Sequence, residues 1–169
     1  MKRAPQAIAT VQVALFLMLA ACAPSTPEPT VKTMSKADTK SVGDQHARTV
    51  MDLISGDHSR EYNGEFYAPC EGRLGEFSKE VYTLRLSYYV NDVSPTEFAT
   101  VFTRLRDQLP SKGYQVKRFD LDPKRPAATL VAENPKDGFE VSVEEVDPPT
   151  SLLVSVYSPC LNPPGGSEK

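Results

Sequence analysis

The sequence predicts an α+β domain, a mainly antiparallel five-stranded sheet covered on one face by one or two helices. Three observations carry that expectation. Four runs of alternating hydrophobicity, Tyr114 to Leu121, Ala127 to Glu133, Phe139 to Val146 and Ser151 to Tyr157, recur about every twelve residues. Between them stand Asp122-Pro123-Lys124-Arg125-Pro126, Asn134-Pro135-Lys136-Asp137-Gly138 and Asp147-Pro148-Pro149-Thr150, turn chemistry of the kind that joins antiparallel neighbours. A fifth run, Val81 to Val90, sets Tyr82, Leu84, Leu86, Tyr88 and Val90 on one side and Thr83, Arg85, Ser87 and Tyr89 on the other, so one face is buried and one is wet. Finally, Ser94-Pro95-Thr96-Glu97 reads as a capping box with proline in the first turn. Phe98, Val101, Phe102, Leu105 and Leu109 follow as one apolar stripe, which Pro110 and Gly113 end.

The remaining elements are taken in chain order. Asp44 to Ile54 reads as a short helix, with Asp44 as N-cap, Val50, Leu53 and Ile54 on one face, and Gly56 as the stop. Asp57 to Glu76 is expected to be mainly loop, because its glycines and Pro69 break any longer element. On the run from Phe139, the acids Glu140 and Glu144 share a face with Ser142, opposite Phe139, Val141 and Val143. A solvated strand face explains them better than a calcium site or a catalytic carboxylate pair.

Composition narrows the function classes. Across 169 residues, 19 Lys and Arg stand against 22 Asp and Glu, with no long basic run to follow a phosphate backbone, so nucleic acid is not expected as a partner. Two histidines and three cysteines are too few for most soft-ligand metal centres, and no metal or cofactor is expected. The adjacent Asp57-His58-Ser59 cannot form a hydrolase triad, whose members come from distant positions. No familiar nucleophile or phosphate-cradle motif is present, and no catalytic residue is assigned.

The first segment is an address. Lys2 and Arg3 precede an apolar run of about fifteen residues, Ala7 to Ala21, with the layout of an export signal and shorter than the roughly 20 residues of a permanent span. It closes on Leu19-Ala20-Ala21-Cys22, which resembles the lipobox of bacterial lipoproteins. The resemblance implies that residues 1 to 21 are cut away and that Cys22, the new N-terminus, carries a diacylglyceryl group with acyl chains such as palmitate. Two chains anchor a protein far more firmly than one, at about 0.8 kcal/mol per buried methylene. The implied site is the outer, extracytoplasmic face of the cell membrane. Without Lys2 and Arg3 the chain keeps 17 basic and 22 acidic side chains, a formal charge of −5. Residues 22 to 43 are expected to form the lipidated cysteine and a disordered Pro/Ser/Thr/Lys-rich tether, with a reach of roughly 25 to 65 Å.

With Cys22 committed to lipid, Cys70 and Cys160 remain as an even pair in an exported chain, and a structural disulfide between them is expected. The folded domain is then 44 to 161, followed by a flexible tail from 162 to 169. Seven aromatic residues fall between Tyr62 and Tyr89. In the irregular stretch they mix with charges, which makes Glu65, Tyr67, Glu71 and Arg73 the candidate binding loop. The whole chain resembles the small, tethered, single-disulfide lipoproteins of Gram-positive, high-GC actinobacteria, a resemblance that implies no named activity. A non-catalytic binding or interaction module of the cell envelope, with an envelope protein or a glycan as partner, is the leading expectation. Its competitors are a cell-envelope hydrolase using loop carboxylates and a purely structural envelope protein.

Overall fold

Ser35 starts the first long element. Its hydroxyl accepts from the Asp38 amide at 3.1 Å, and the helix α1 runs from Lys36 to Leu53, ending where the Ile54 amide bonds back to the Met51 carbonyl. In this computed structural model, which describes residues 31–54, 56–71, 75–122, 127–146 and 150–165, α1 begins eight residues before the expected Asp44 cap. The reason lies in its buried face. The first two turns meet the sheet through Thr39 and Gly43, where no large apolar side chain announces a helix. A Cβ on Gly43 would stand 3.2 Å from a Leu86 methyl, so the missing side chain is what lets the helix lie this close. The folded unit therefore reaches into the expected tether, and residues 22 to 30 lie outside the described ones.

Among the described residues eight strands form the sheet, against the five expected. They are β1 (Lys32–Thr33), β2 (Arg60–Glu71), β3 (Phe77–Asn91), β4 (Gln115–Asp122), β5 (Ala127–Glu133), β6 (Glu140–Val146), β7 (Ser151–Tyr157) and β8 (Leu161–Asn162). The main path is antiparallel, β2-β3-β7-β6-β5-β4, with β8 continuing beside β3 and β1 pairing with β8 in parallel. The expected meander is present as β4 to β7. Of its turns only Asn134 to Gly138 is described, closed by the Asn134 amide to the Phe139 carbonyl at 2.8 Å, with Gly138 at φ 83°. The expected loop from Asp57 to Glu76 is corrected to β2. It is an edge strand, bonded on one side only, and its register slips at Tyr62/Gly64 and again at Pro69/Glu71, which hides the period of two.

Helix α2 (Phe98–Gln108) opens after a turn over Pro95 to Glu97, three residues later than a Ser94 cap suggests. Half of the capping box is present: the Glu97 carboxylate accepts from the Ser94 amide at 3.0 Å, while the Ser94 hydroxyl accepts from Thr96. A 3₁₀ turn, Leu109–Lys112, and Gly113 at φ 91° end it. Both helices lie on one face. α1 packs on β3, β7 and β6, and α2 on β5 and β4. Between them and the sheet, Phe98, Phe102, Leu86, Leu130, Val143 and Val154 are closed off from solvent. Truncating a side chain such as Phe102 to alanine costs about 3 to 5 kcal/mol in such a core.

At one corner the chain's entry and exit meet. After β7 the Ser158 hydroxyl accepts from the Leu84 amide at 2.8 Å and the Ser158 amide bonds the Leu84 carbonyl, leading the strand past Pro159 to Leu161 opposite Tyr82. The Met34 amide then bonds the Asn162 carbonyl at 2.9 Å, so Asn162, expected in the flexible tail, is part of the sheet. The Cys70–Cys160 disulfide is formed here, with the two Cα atoms 6.1 Å apart, and pins the far end of β2 to this corner.

Candidate functional site

Functional side chains gather on both faces of the sheet. On the helix side, β2 places Tyr62, Glu65 and Tyr67 against α1. The Tyr67 hydroxyl donates to the Lys36 carbonyl at 3.0 Å, and Tyr62 donates to Glu65 at 3.0 Å. Lys40 lies 2.9 Å from Asp44, 3.7 Å from Glu65 and over the ring of Tyr62. Tyr88 donates to the other Asp44 oxygen at 2.7 Å, and burial together with that bond pushes its phenol up to about 12. The Asp44 bond likewise raises Lys40. Two carboxylates thus converge, but on a lysine and two phenols that neutralise and occupy them.

Of the four expected loop residues, Glu65 and Tyr67 are brought together here as a clamp between α1 and the hairpin. Glu71 sits at the hairpin's far end opposite Phe77, and Arg73 lies outside the described residues, as does Cys22. A second clamp joins α1 to the meander. His46, buried, lies 2.5 Å through Nδ1 from the Tyr114 hydroxyl and 3.1 Å through Nε2 from Asp137, and its ring stacks on Phe139. Burial and the nearby Asp137 charge push Tyr114 up to about 12. Both clusters hold elements together. Among the described residues, no group of three or more His, Cys, Asp or Glu is placed to hold a metal ion.

Among the described residues the opposite face carries no helix. Registers across β2, β3, β7, β6 and β5 arrange its side chains in rows that cross the strands. The central row is small: Gly64, Ser87, Ser155, Ser142 and then Val131. One flanking row is Phe66, Arg85, Tyr157, Glu140 and Glu133, and the other is Glu61, Tyr89, Leu153, Glu144 and Thr129. The serines stand lower above the pleat than the aromatic and long side chains either side, which close over the middle of the row and bury Ser87 and Ser155. Over β2, β3 and β7 the flanking rows mix Phe66, Tyr89, Leu153 and Tyr157 with the exposed charges Glu61 and Arg85, and over β6 they are acidic.

Details of this face point outward. Phe66 is 65% exposed on an edge strand, and the Arg85 guanidinium lies over the Tyr157 ring at 5.8 Å. Ser155 has no exposed surface, and its hydroxyl has no hydrogen-bond partner among the described residues, while its neighbour Ser87 accepts from Asn63 at 3.2 Å. Glu133 is paired with Lys117 at 3.1 Å, whereas Glu140 and Glu144 have no cationic partner among the described residues. The hollow beside α2, by contrast, is lined only by the outer side of that one helix, with no converging group from a second element.

The alternation of β3, β6 and β7 separated the two faces, although Ser87, expected to be wet, is buried, and the serine row needs β3 to pair with β7, a contact that no local signal announces. No described helix is long and apolar enough to cross a membrane. No protein-family model, curated protein or solved structure matches the chain.

Proposed function

We propose that this chain is a membrane-anchored extracytoplasmic lipoprotein, held through Cys22, whose folded domain is a non-catalytic binding module of the cell envelope. The observation that carries the binding reading is the sheet face that no described helix covers, with an exposed Phe66 and half-buried Tyr89, Leu153 and Tyr157. A sheet face with this apolar content is ordinarily covered by another layer. The anchor reading rests on Leu19-Ala20-Ala21-Cys22. Together they describe a domain that is fixed to the membrane and presents one finished face and one open face.

Two measurements test it. Mass spectrometry of the membrane-associated chain should find a mature N-terminus at Cys22 bearing acyl groups, and Cys22→Ala should release the chain from the membrane. A chain starting elsewhere, or unchanged retention of the variant, contradicts the anchor. For binding, the chain is immobilised and exposed to envelope components of the producing bacterium. Phe66→Asp with Tyr157→Asp should abolish retention of a component that Asp52→Lys with Asp107→Lys, both on the helix side, leaves in place. Equal retention by both double variants, each with an unchanged melting temperature, contradicts the reading.

A further inference from the structure

Resting on that binding reading and naming the partner, we propose that the open face docks a second copy of this chain, sheet on sheet, about a two-fold axis that runs along β7. Flatness selects a sheet as occupant. The middle of the face is closed over Ser87 and Ser155, and such a surface offers no groove but stacks on another sheet at about 10 Å. Charge selects the axis. Tyr157 lies between Arg85 on β3 and Glu140 on β6, one strand to either side. A two-fold along β7 exchanges those two sides. Each exposed Arg85, which has no ion pair among the described residues, then faces Glu140 of the other copy. The roughly 30° between aligned sheets moves the two groups by a few ångströms, within reach of side chains this long.

The rest of the face follows the same rotation. Tyr89 comes opposite Glu144, which has no cationic partner among the described residues and can accept from the phenol. Phe66 comes opposite Glu133, already neutralised by Lys117. Tyr157 and Leu153 lie on the axis and meet their own counterparts. Two-fold axes along β3, along β6 or along the serine row fail on charge, because they set Arg85 on Arg85, Glu140 on Glu140, and Glu140 on Glu144 respectively. The overlap spans the five strands β2-β3-β7-β6-β5, about 24 Å, by some seven residues, about 23 Å, so the two copies together cover roughly 1,100 Å². That just clears the ~1,000 Å² of a specific interface and suits a weak dimer. The anchor supplies the remainder. An axis along the strands puts both β1 strands at the same end of the dimer. Nine residues, at most about 32 Å of chain, separate Val31 from Cys22, so both copies reach one bilayer and are held at high effective concentration.

The test uses sedimentation velocity of the full chain in a non-ionic detergent, with micelles in excess over chains. A concentration-dependent dimer is expected. Arg85→Glu and Glu140→Arg, each alone, should raise its dissociation constant about tenfold or more, since each reversal puts like charges together at two symmetric contacts. An equimolar mixture of the two variants should regain the dimer, because opposite charges then meet at both contacts. Asp52→Lys with Asp107→Lys, on the helix side, should leave the constant unchanged. Where a reversal lowers the melting temperature, Arg85→Gln or Glu140→Gln takes its place, each expected to weaken the dimer about threefold or more. Four results would overturn the proposal: a chain that stays monomeric at every concentration, a dimer that both reversals leave intact, equal weakening by the helix-side pair, or weakened reversal variants that do not recover on mixing. A monomeric chain that still retains an envelope component through Phe66 and Tyr157 strikes out the second copy and leaves the binding reading. Equal retention by the open-face and helix-side double variants strikes the reading itself.

Discussion

Breaking the Cys70–Cys160 bond should be the largest single covalent change to stability that this fold allows. The bond joins positions 90 apart in sequence, and on the chain-entropy account a closed loop of that size is worth about 4.6 kcal/mol against the unfolded state. The structure lowers that ceiling. β8 meets β3 at one register pair, Tyr82 with Leu161, and is otherwise held by two-residue β1, so the corner loosens when the bond is cut and recovers some entropy in the folded state. A loss of roughly 3 kcal/mol is expected, about 2 M in urea midpoint for a slope near 1.5 kcal/mol/M. The assay compares urea unfolding of the oxidised chain with Cys70→Ala/Cys160→Ala, in which no thiol can re-pair. Hydrogen exchange at the Met34 and Leu84 amides should accelerate before global unfolding. Coincident midpoints, or a difference below about 1 kcal/mol, would refute the reasoning.

Gly43→Leu should destabilise by about 1 to 3 kcal/mol, because the new side chain must enter space already held by Leu84 and Leu86; unchanged urea unfolding would show that α1 can ride up at no cost. An alkaline limb is also expected. Tyr114 titrates at about 12 in the fold against about 10 unfolded, so its contribution is complete below about pH 10 and is lost as pH rises through about 12, roughly 2 to 3 kcal/mol in all. Tyr114→Phe should flatten that limb, and an identical pH profile in the variant would contradict the burial of this phenol.

How much of this was legible in the sequence depended on how local the cause is. The meander from β4 to β7 follows from alternation and turn residues within a few positions, and the stripe of α2 from spacing within one helix. Cysteine parity, once Cys22 is set aside, identifies the bonded pair. β2 was hidden because an edge strand exposed on much of both faces, with two register slips, has no clean alternation to read. The first half of α1 was hidden because Thr39 and Gly43, not leucines, face the sheet. Glu65 and Tyr67 were singled out as binding residues by their type, yet α1 reaches back to meet them and turns them into a clamp. The His46 cluster joins residues 68 and 91 positions apart, and the serine row joins β3 with β7, strands far apart along the chain.

The division of the domain into a finished helix-covered face and a binding face is tested most directly by photo-crosslinking in the producing cells. A photoreactive residue is placed singly at Phe66 or Tyr157 on the open face and at Thr100 or Asp107 on the outer side of α2. The account predicts a discrete adduct from both open-face positions and none from the α2 positions. Adducts from α2 alone, or equal labelling from the two faces, would contradict it.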